Sequence, residues 1–243
     1  MKKLYDKILE RYNSDDYKNY REQESVIEKV FSDKSVFEKA NEEKEILQAV
    51  LLRVVVLDSF YSTNLAKFGI YEVAEHITKL ESQKIHQKIR SATPHNYDEL
   101  KDIIEQIAKC KRKDSKKKIF YSFATKYCFH HNQNAFRIYD SFVREVLVFF
   151  NNKRNKSNTK FEDISREFGE LVGTNFFGAK LTNTELKDYK NYDTFLQAID
   201  AFAKHYGLAN ESAQHRRDLD HFLWILGKEQ IRIKSGAKII NRK

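Results

Sequence analysis

Asp140 opens the apolar run Ser141-Phe-Val-Arg-Glu-Val-Leu-Val-Phe-Phe150. Its spacing predicts a helix with Phe142, Val143, Val146, Leu147 and Phe150 on the buried side. A carboxylate at a helix start has two uses. It can accept free backbone N–H groups as an N-cap. It can also be held rigidly, and kept ionised by the helix dipole, to steady a developing positive charge or take a proton from water. Upstream, Lys126 sits within Phe123-Ala-Thr-Lys-Tyr-Cys128. An amine in apolar surroundings can act as a nucleophile, or its stem can run along a buried helix while the charge reaches water. Cys110, Cys128, His130 and His131 are metal-ligand types, but no CxxC or HxxxH pair joins them, and no metal site is expected. Two thiols are too few for an iron–sulfur cluster.

The run Lys111-Arg-Lys-Asp-Ser-Lys-Lys-Lys118 holds six basic residues and one acidic. It can neutralise phosphates or form a solvated loop. Lys153, Arg154 and Lys156 make a second basic cluster, with the same two readings. Arg216 to Trp224 reads as a helix start capped by Asp218 or Asp220, with Trp224 buried. Its paired charges would otherwise serve as a second acid/base pair.

These residues need elements to position them. The chain has 243 residues, 41% hydrophobic and 33% charged, enough apolar content for a core. Seven glycines and one proline are too few for the turns of a sandwich or barrel, so the expected class is all-α. No GxGxxG, GKS or GKT is present, which removes the commonest nucleotide-binding signatures. The formal charge of +9 favours a polyanionic partner, nucleic acid first. No apolar leader opens the sequence and no run spans a bilayer, so a soluble, cytoplasmic protein is expected, with no membrane partner.

Residues 1–44 read as helices, with Leu4, Tyr5, Ile8, Leu9 and Tyr12 at helical spacing and a polar break at 13–18. Val26, Val30, Phe31 and Phe37 follow. Residues 45–57 are almost wholly apolar, as in a helix buried on most sides. Ser62, Thr63 and Asn64 are N-cap types ahead of a helix through Ile70, Val73, Ala74 and Ile77. Leu100 to Ile107 make another. Residues 45–150 are expected to form the core, 151–160 a basic linker, and 161–243 a helical layer and basic tail. In that last stretch, helices are expected at 164–171, 186–206 and 218–226. The N-terminal helices would join that second layer.

The segment Ser122-Phe-Ala-Thr-Lys-Tyr-Cys-Phe-His-His-Asn-Gln-Asn-Ala-Phe-Arg-Ile-Tyr-Asp-Ser-Phe-Val-Arg144 resembles the helix-hairpin-helix DNA glycosylase superfamily. There, a catalytic aspartate opens a helix in a pattern like Val-Asp-Thr-His-Val-x-Arg, whose first five positions fall here on Tyr139-Asp140-Ser141-Phe142-Val143, with Arg144 one position ahead of the pattern's arginine. Leu51–Leu57, Tyr61-Ser-Thr-Asn64 and Val73–Ile77 are similar to the upstream helices. The resemblance covers roughly residues 45–150 and implies a helical glycosylase-like core against a second helical layer. The family's glycine-rich hairpin is replaced by Asp114-Ser-Lys-Lys-Lys118.

By this resemblance, Asp140 stabilises the sugar cation and positions water. Lys113, Lys116, Lys117, Lys118 and Arg144 hold DNA. Tyr61, Ser62, Asn64, Tyr121, Tyr139 and His130 line a base pocket. The family's nucleophilic lysine would fall near Tyr121 or Ser122, so a monofunctional enzyme is expected, with Lys126 as auxiliary cation or alternative nucleophile. It implies base excision without cofactor by a monomer, in repair or in defence against modified phage DNA. Two other classes stay open: a non-catalytic nucleic-acid-binding protein on this scaffold, and a helical protein-interaction module.

Overall fold

Along α1 (Lys2–Asn13) the three- and four-residue spacing of Leu4, Tyr5, Ile8 and Tyr12 makes one continuous buried stripe. The same rule builds most of the chain. In this computed structural model the described residues are 1–33, 37, 42–111, 117–152, 169–210 and 212–234. The fold is all-α, with one short two-stranded ribbon among those residues. None of their helices is long and apolar enough to cross a membrane.

The chain divides into two compact units, drawn differently from the expected boundaries. The central unit is Tyr17–Tyr139. The terminal unit joins Met1–Asp16 to Asp140–Lys243. Residues 17–44 therefore go with the core, because α2 (Lys18–Ser32) packs Ile27 and Phe31 against the central helices. Residues 140–150 go with the C-terminal helices, on which the helix Ser141–Asn151 packs.

In the central unit, α3 (Glu43–Tyr61) buries Val50, Arg53, Val54 and Leu57. It is not buried on most sides, as its composition suggested. Leu52 is 52% and Val55 42% exposed, because α2, α4 (Ile70–Lys79) and the helix Tyr121–His131 leave that side uncovered. α5 (Ile85–Ser91) and α6 (Tyr97–Ala108) follow. The basic run after α6 is partly strand rather than wholly loop. β1 (Lys109–Lys111) pairs antiparallel with β2 (Lys117–Ile119), Cys110 opposite Lys118 and Lys111 opposite Lys117. Phe120 N–H donates to Ala108 O at 3.0 Å and closes the ribbon. Cys110 Sγ faces the Glu72 carbonyl at 3.7 Å. Lys113 and Lys116 lie outside the described residues.

Next comes α7 (Tyr121–His131), in which every residue but Ser122 is buried. Its end is tied down by Asn132, whose Nδ2 donates to the carbonyls of Ile89 and Ala92 at 2.9 and 3.0 Å.

The terminal unit holds α1, α8 (Ser141–Asn151), α9 (Asn183–Lys187), α10 (Tyr192–His205) and α11 (Ala213–Lys234). α11 packs on both α1 and α8. It begins at Ala213, so Asp218 and Asp220 lie inside it instead of capping it, and Trp224 is half-buried. The helical stretch expected from Leu186 to Tyr206 breaks at Asp188, whose carboxylate caps a new turn through Lys190 N–H at 3.0 Å. Buried Asn151 pins the segment after residue 173, donating to Ala179 O at 2.7 Å and accepting from Phe177 N–H at 2.9 Å. Lys153, Arg154, Lys156 and most of the helix expected at Ile164–Leu171 lie outside the described residues.

Candidate active site

Ser122, Thr125 and Lys126 stand at i, i+3 and i+4, so their side chains share one face of α7. On a buried helix that is a polar stripe, and it grips one residue, Tyr139. Thr125 Oγ1 accepts from Tyr139 N–H at 3.1 Å. Ser122 Oγ donates to Tyr139 O at 3.3 Å. Lys126 Nζ donates to Ser122 Oγ at 2.6 Å and reaches Tyr139 O at 3.5 Å. The Tyr121 and Tyr139 rings stack with centroids 4.2 Å apart. Lys126 is only 3% exposed. Its stem does not carry the charge out to water; the ammonium turns back along α7 and is satisfied inside the fold.

Tyr61, at the C-terminus of α3, joins the same cluster. Its ring centroid lies 5.2 Å from Lys126 Nζ, within cation–π range. Its hydroxyl meets His130 Nε2 at 2.9 Å. The structure therefore brings Tyr61, Tyr121, Lys126, His130 and Tyr139 together within the central unit. Ser62 and Asn64 follow Tyr61 on exposed, left-handed backbone, φ 50° and 60°. Non-glycine residues hold that conformation at a cost, as functional loops often do. Neither caps the next turn with its side chain. Asp58 does so instead, accepting from Thr63 Oγ1, Leu65 N–H and Ala66 N–H at 2.7, 2.8 and 3.2 Å.

Asp140, the residue after Tyr139, belongs to the terminal unit. It is the N-cap of α8: its Oδ1 accepts from Phe142 N–H at 2.8 Å. It is half-buried. Arg144 Nε donates to Asn183 Oδ1 at 3.0 Å, and its Nη2 lies 3.6 Å from Glu145.

A second buried network adds Arg53, Glu81 and His86, which sequence spacing did not single out, to His131 and its aromatic neighbours. His86 Nδ1 donates to Glu81, and its Nε2 accepts from the Tyr127 hydroxyl at 2.6 Å. The Arg53 guanidinium lies over Phe37 and Phe31. His131 is ringed by Phe31, Phe37, His86 and Tyr127, and neither of its ring nitrogens has a hydrogen-bond partner among the described residues. Burial, aided by the charges of His86 and Arg53, pulls His131 well below the ordinary histidine range. Burial also pulls His86 down, against the opposing pull of Glu81. For Glu81, burial is outweighed by the bonds from His86, and its carboxyl titrates low.

Burial pushes the Cys128 thiol well up and that of Cys110 up to about 11, so neither is a thiolate at neutral pH. Among the described residues no three His, Cys, Asp or Glu side chains are grouped to hold a metal.

The grip on Tyr139 has a direct test. Thr125→Val keeps the shape but leaves the Tyr139 N–H unpaired, and should cost about 1–3 kcal/mol in urea unfolding. Thr125→Ser, which keeps the acceptor, should lose much less.

The HI_0787_N family model, described as an N-terminal domain, matches residues 4–135, from α1 to just past α7. A Haemophilus influenzae protein titled "Uncharacterized protein" is 32% identical over 183 residues, which cover 75% of this chain and 68% of its own. No solved structure gives a significant match.

Proposed function

The chain belongs to the HI_0787_N family, and we propose that this member is a DNA glycosylase-like enzyme, hydrolysing the N-glycosidic bond of a damaged or modified base. The observation that carries the reading is the cap of α8: Asp140 Oδ1 accepts from Phe142 N–H at 2.8 Å, on a half-buried residue. A carboxylate meant to steady a sugar cation must be held rigidly, and this one is fixed at a helix start.

In this reading a water oxygen bonds to the sugar carbon as the carbon–nitrogen bond breaks, the base leaving with the bonding electrons. Asp140 steadies the positive charge of the transition state and takes the water proton. Lys126 acts as a fixed cation and not as a nucleophile, because its donors are spent on Ser122 and Tyr139. Tyr61, half-buried, offers a ring to an extruded base, with Ser62 and Asn64 beside it to read base edges. Tyr121 and Tyr139 face each other and would shape the wall, and His130 would orient Tyr61. Residues 109–119 carry seven basic side chains against one acidic, +6 of the chain's +9. That concentration suits phosphate contact by Lys113, Lys116, Lys117 and Lys118, with Arg144 a further cation for DNA. The substrate is DNA in the cytoplasm, and no cofactor is required.

The test is base release from duplexes carrying uracil, hypoxanthine, oxidised, alkylated or phage-type hydroxymethylated bases. Wild type should leave alkali-labile abasic sites. Asp140→Asn should slow release on the order of 10³-fold with DNA affinity unchanged. Salt-sensitive binding without release in either protein would favour the non-catalytic DNA-binding reading. Absence of binding at moderate salt would favour an interaction module.

A further inference from the structure

Glycine is a poor residue for a helix interior, yet Gly227 stands well inside α11, among the buried residues Leu223, Ile225 and Leu226. Packing explains it. A Cβ added at Gly227 would lie 2.6 Å from Phe142 O and 2.8 Å from both Phe142 C and Cβ. Two of these atoms are backbone and the third is rigidly attached to it, so no side-chain rotation relieves the contact. The bare backbone of α11 therefore lies directly against the first turn of α8. The atoms it touches are the carbonyl group and Cβ of Phe142, and the N–H of that same residue is the donor that Asp140 Oδ1 accepts.

We infer that Gly227 is a positioning residue for Asp140: the glycine lets α11 buttress the first turn of α8 and so sets where the capping carboxylate stands. This rests on the glycosylase reading for its catalytic meaning, though not for its geometry. α11 lies far along the chain from the motif-like segment at 122–144, so the dependence is purely tertiary.

The test is Gly227→Ala beside Ile199→Val, a conservative substitution in the buried core of the same unit. In Gly227→Ala the Phe142 peptide must move by several tenths of an ångström. The Phe142 amide should lose hydrogen-exchange protection about tenfold as the cap loosens. Single-turnover base release should fall on the order of 100-fold with DNA affinity unchanged. Ile199→Val should leave Phe142 protection and the release rate at wild-type values. A folded Gly227→Ala protein with wild-type Phe142 protection overturns the inference. Should the variant not fold, exchange in the wild type decides: the Phe142 amide and the α11 amides around Gly227 should open together, and an α8 turn that opens independently overturns the inference. If Asp140→Asn leaves release untouched, the catalytic reading fails while the exchange result still judges the buttress.

Discussion

Acidifying the protein below about pH 6.5 should destabilise the central unit, by at most about tenfold in its folding equilibrium per pH unit for each buried histidine that stays neutral in the fold. The drivers are His131 and His86, both buried and both titrating below the ordinary histidine range. Well above pH 6.5 each is neutral in the folded and the unfolded chain, and stability is at its full value. As pH falls through 6.5 the unfolded chain takes up protons that the folded one refuses. Stability then drops by one proton's worth per histidine until the folded pKa is reached. His76, lowered mainly by burial, adds in the same direction. Below about pH 4.5 the low-titrating Glu81 adds its own loss.

The groups facing the pair cannot absorb the new charge. Arg53, Arg90 and His130 raise the cost of a proton at His131, and Glu81 is already bound to His86. Urea unfolding followed by helical circular dichroism at half-unit pH steps measures the slope. Trp224, the chain's one tryptophan, reports the terminal unit separately by fluorescence. His131→Leu should make the dependence shallower, leaving the share of His86 and His76. A slope under half a proton in the wild type would show that His86 and His131 ionise freely in the fold.

Lys126→Met should reduce base release on the order of 10²- to 10³-fold while the protein stays folded and binds DNA normally. Methionine fills the same buried volume with an apolar chain. Ser122 Oγ still donates to Tyr139 O, and Thr125 still accepts from Tyr139 N–H, so the grip keeps two of its bonds. What disappears is the cation beside the Tyr61 ring and the Tyr139 carbonyl. Lys126→Arg should not rescue, because a planar, longer guanidinium cannot occupy the ammonium's place against Ser122. Borohydride added to wild type on an abasic-site duplex should trap no covalent complex, since the amine is engaged. A trapped complex would make Lys126 a nucleophile, and wild-type release by Lys126→Met would remove it from the chemistry.

Much of the helical framework was legible because helix periodicity is a local property. The stripes of α1, α4, α6 and α8 can be read residue by residue, as can Asp140 as the cap of α8. The exposed side of α3 was not legible. Composition says that a helix is apolar, whereas neighbours decide which of its sides they cover. The ribbon at Lys109–Ile119 was hidden for a related reason: its strands are three residues each, too short for alternation to show, and pairing is made across the chain.

For the candidate site, the sequence by itself determined the inventory and its local order. Asp140 stands at a helix start, Lys126 lies within a buried helix, and most of the net positive charge lies between residues 109 and 119. It also held the Ser122, Thr125 and Lys126 spacing, a polar stripe that local reasoning could have assigned. Only the tertiary structure decided what these groups face. Tyr61 reaches Lys126 and His130 across more than sixty residues, His86 meets Tyr127 across forty-one, and Gly227 meets Phe142 from another helix. Such meetings depend on how helices pack, and packing sums many weak contacts over the whole chain. No short stretch of residues carries that sum.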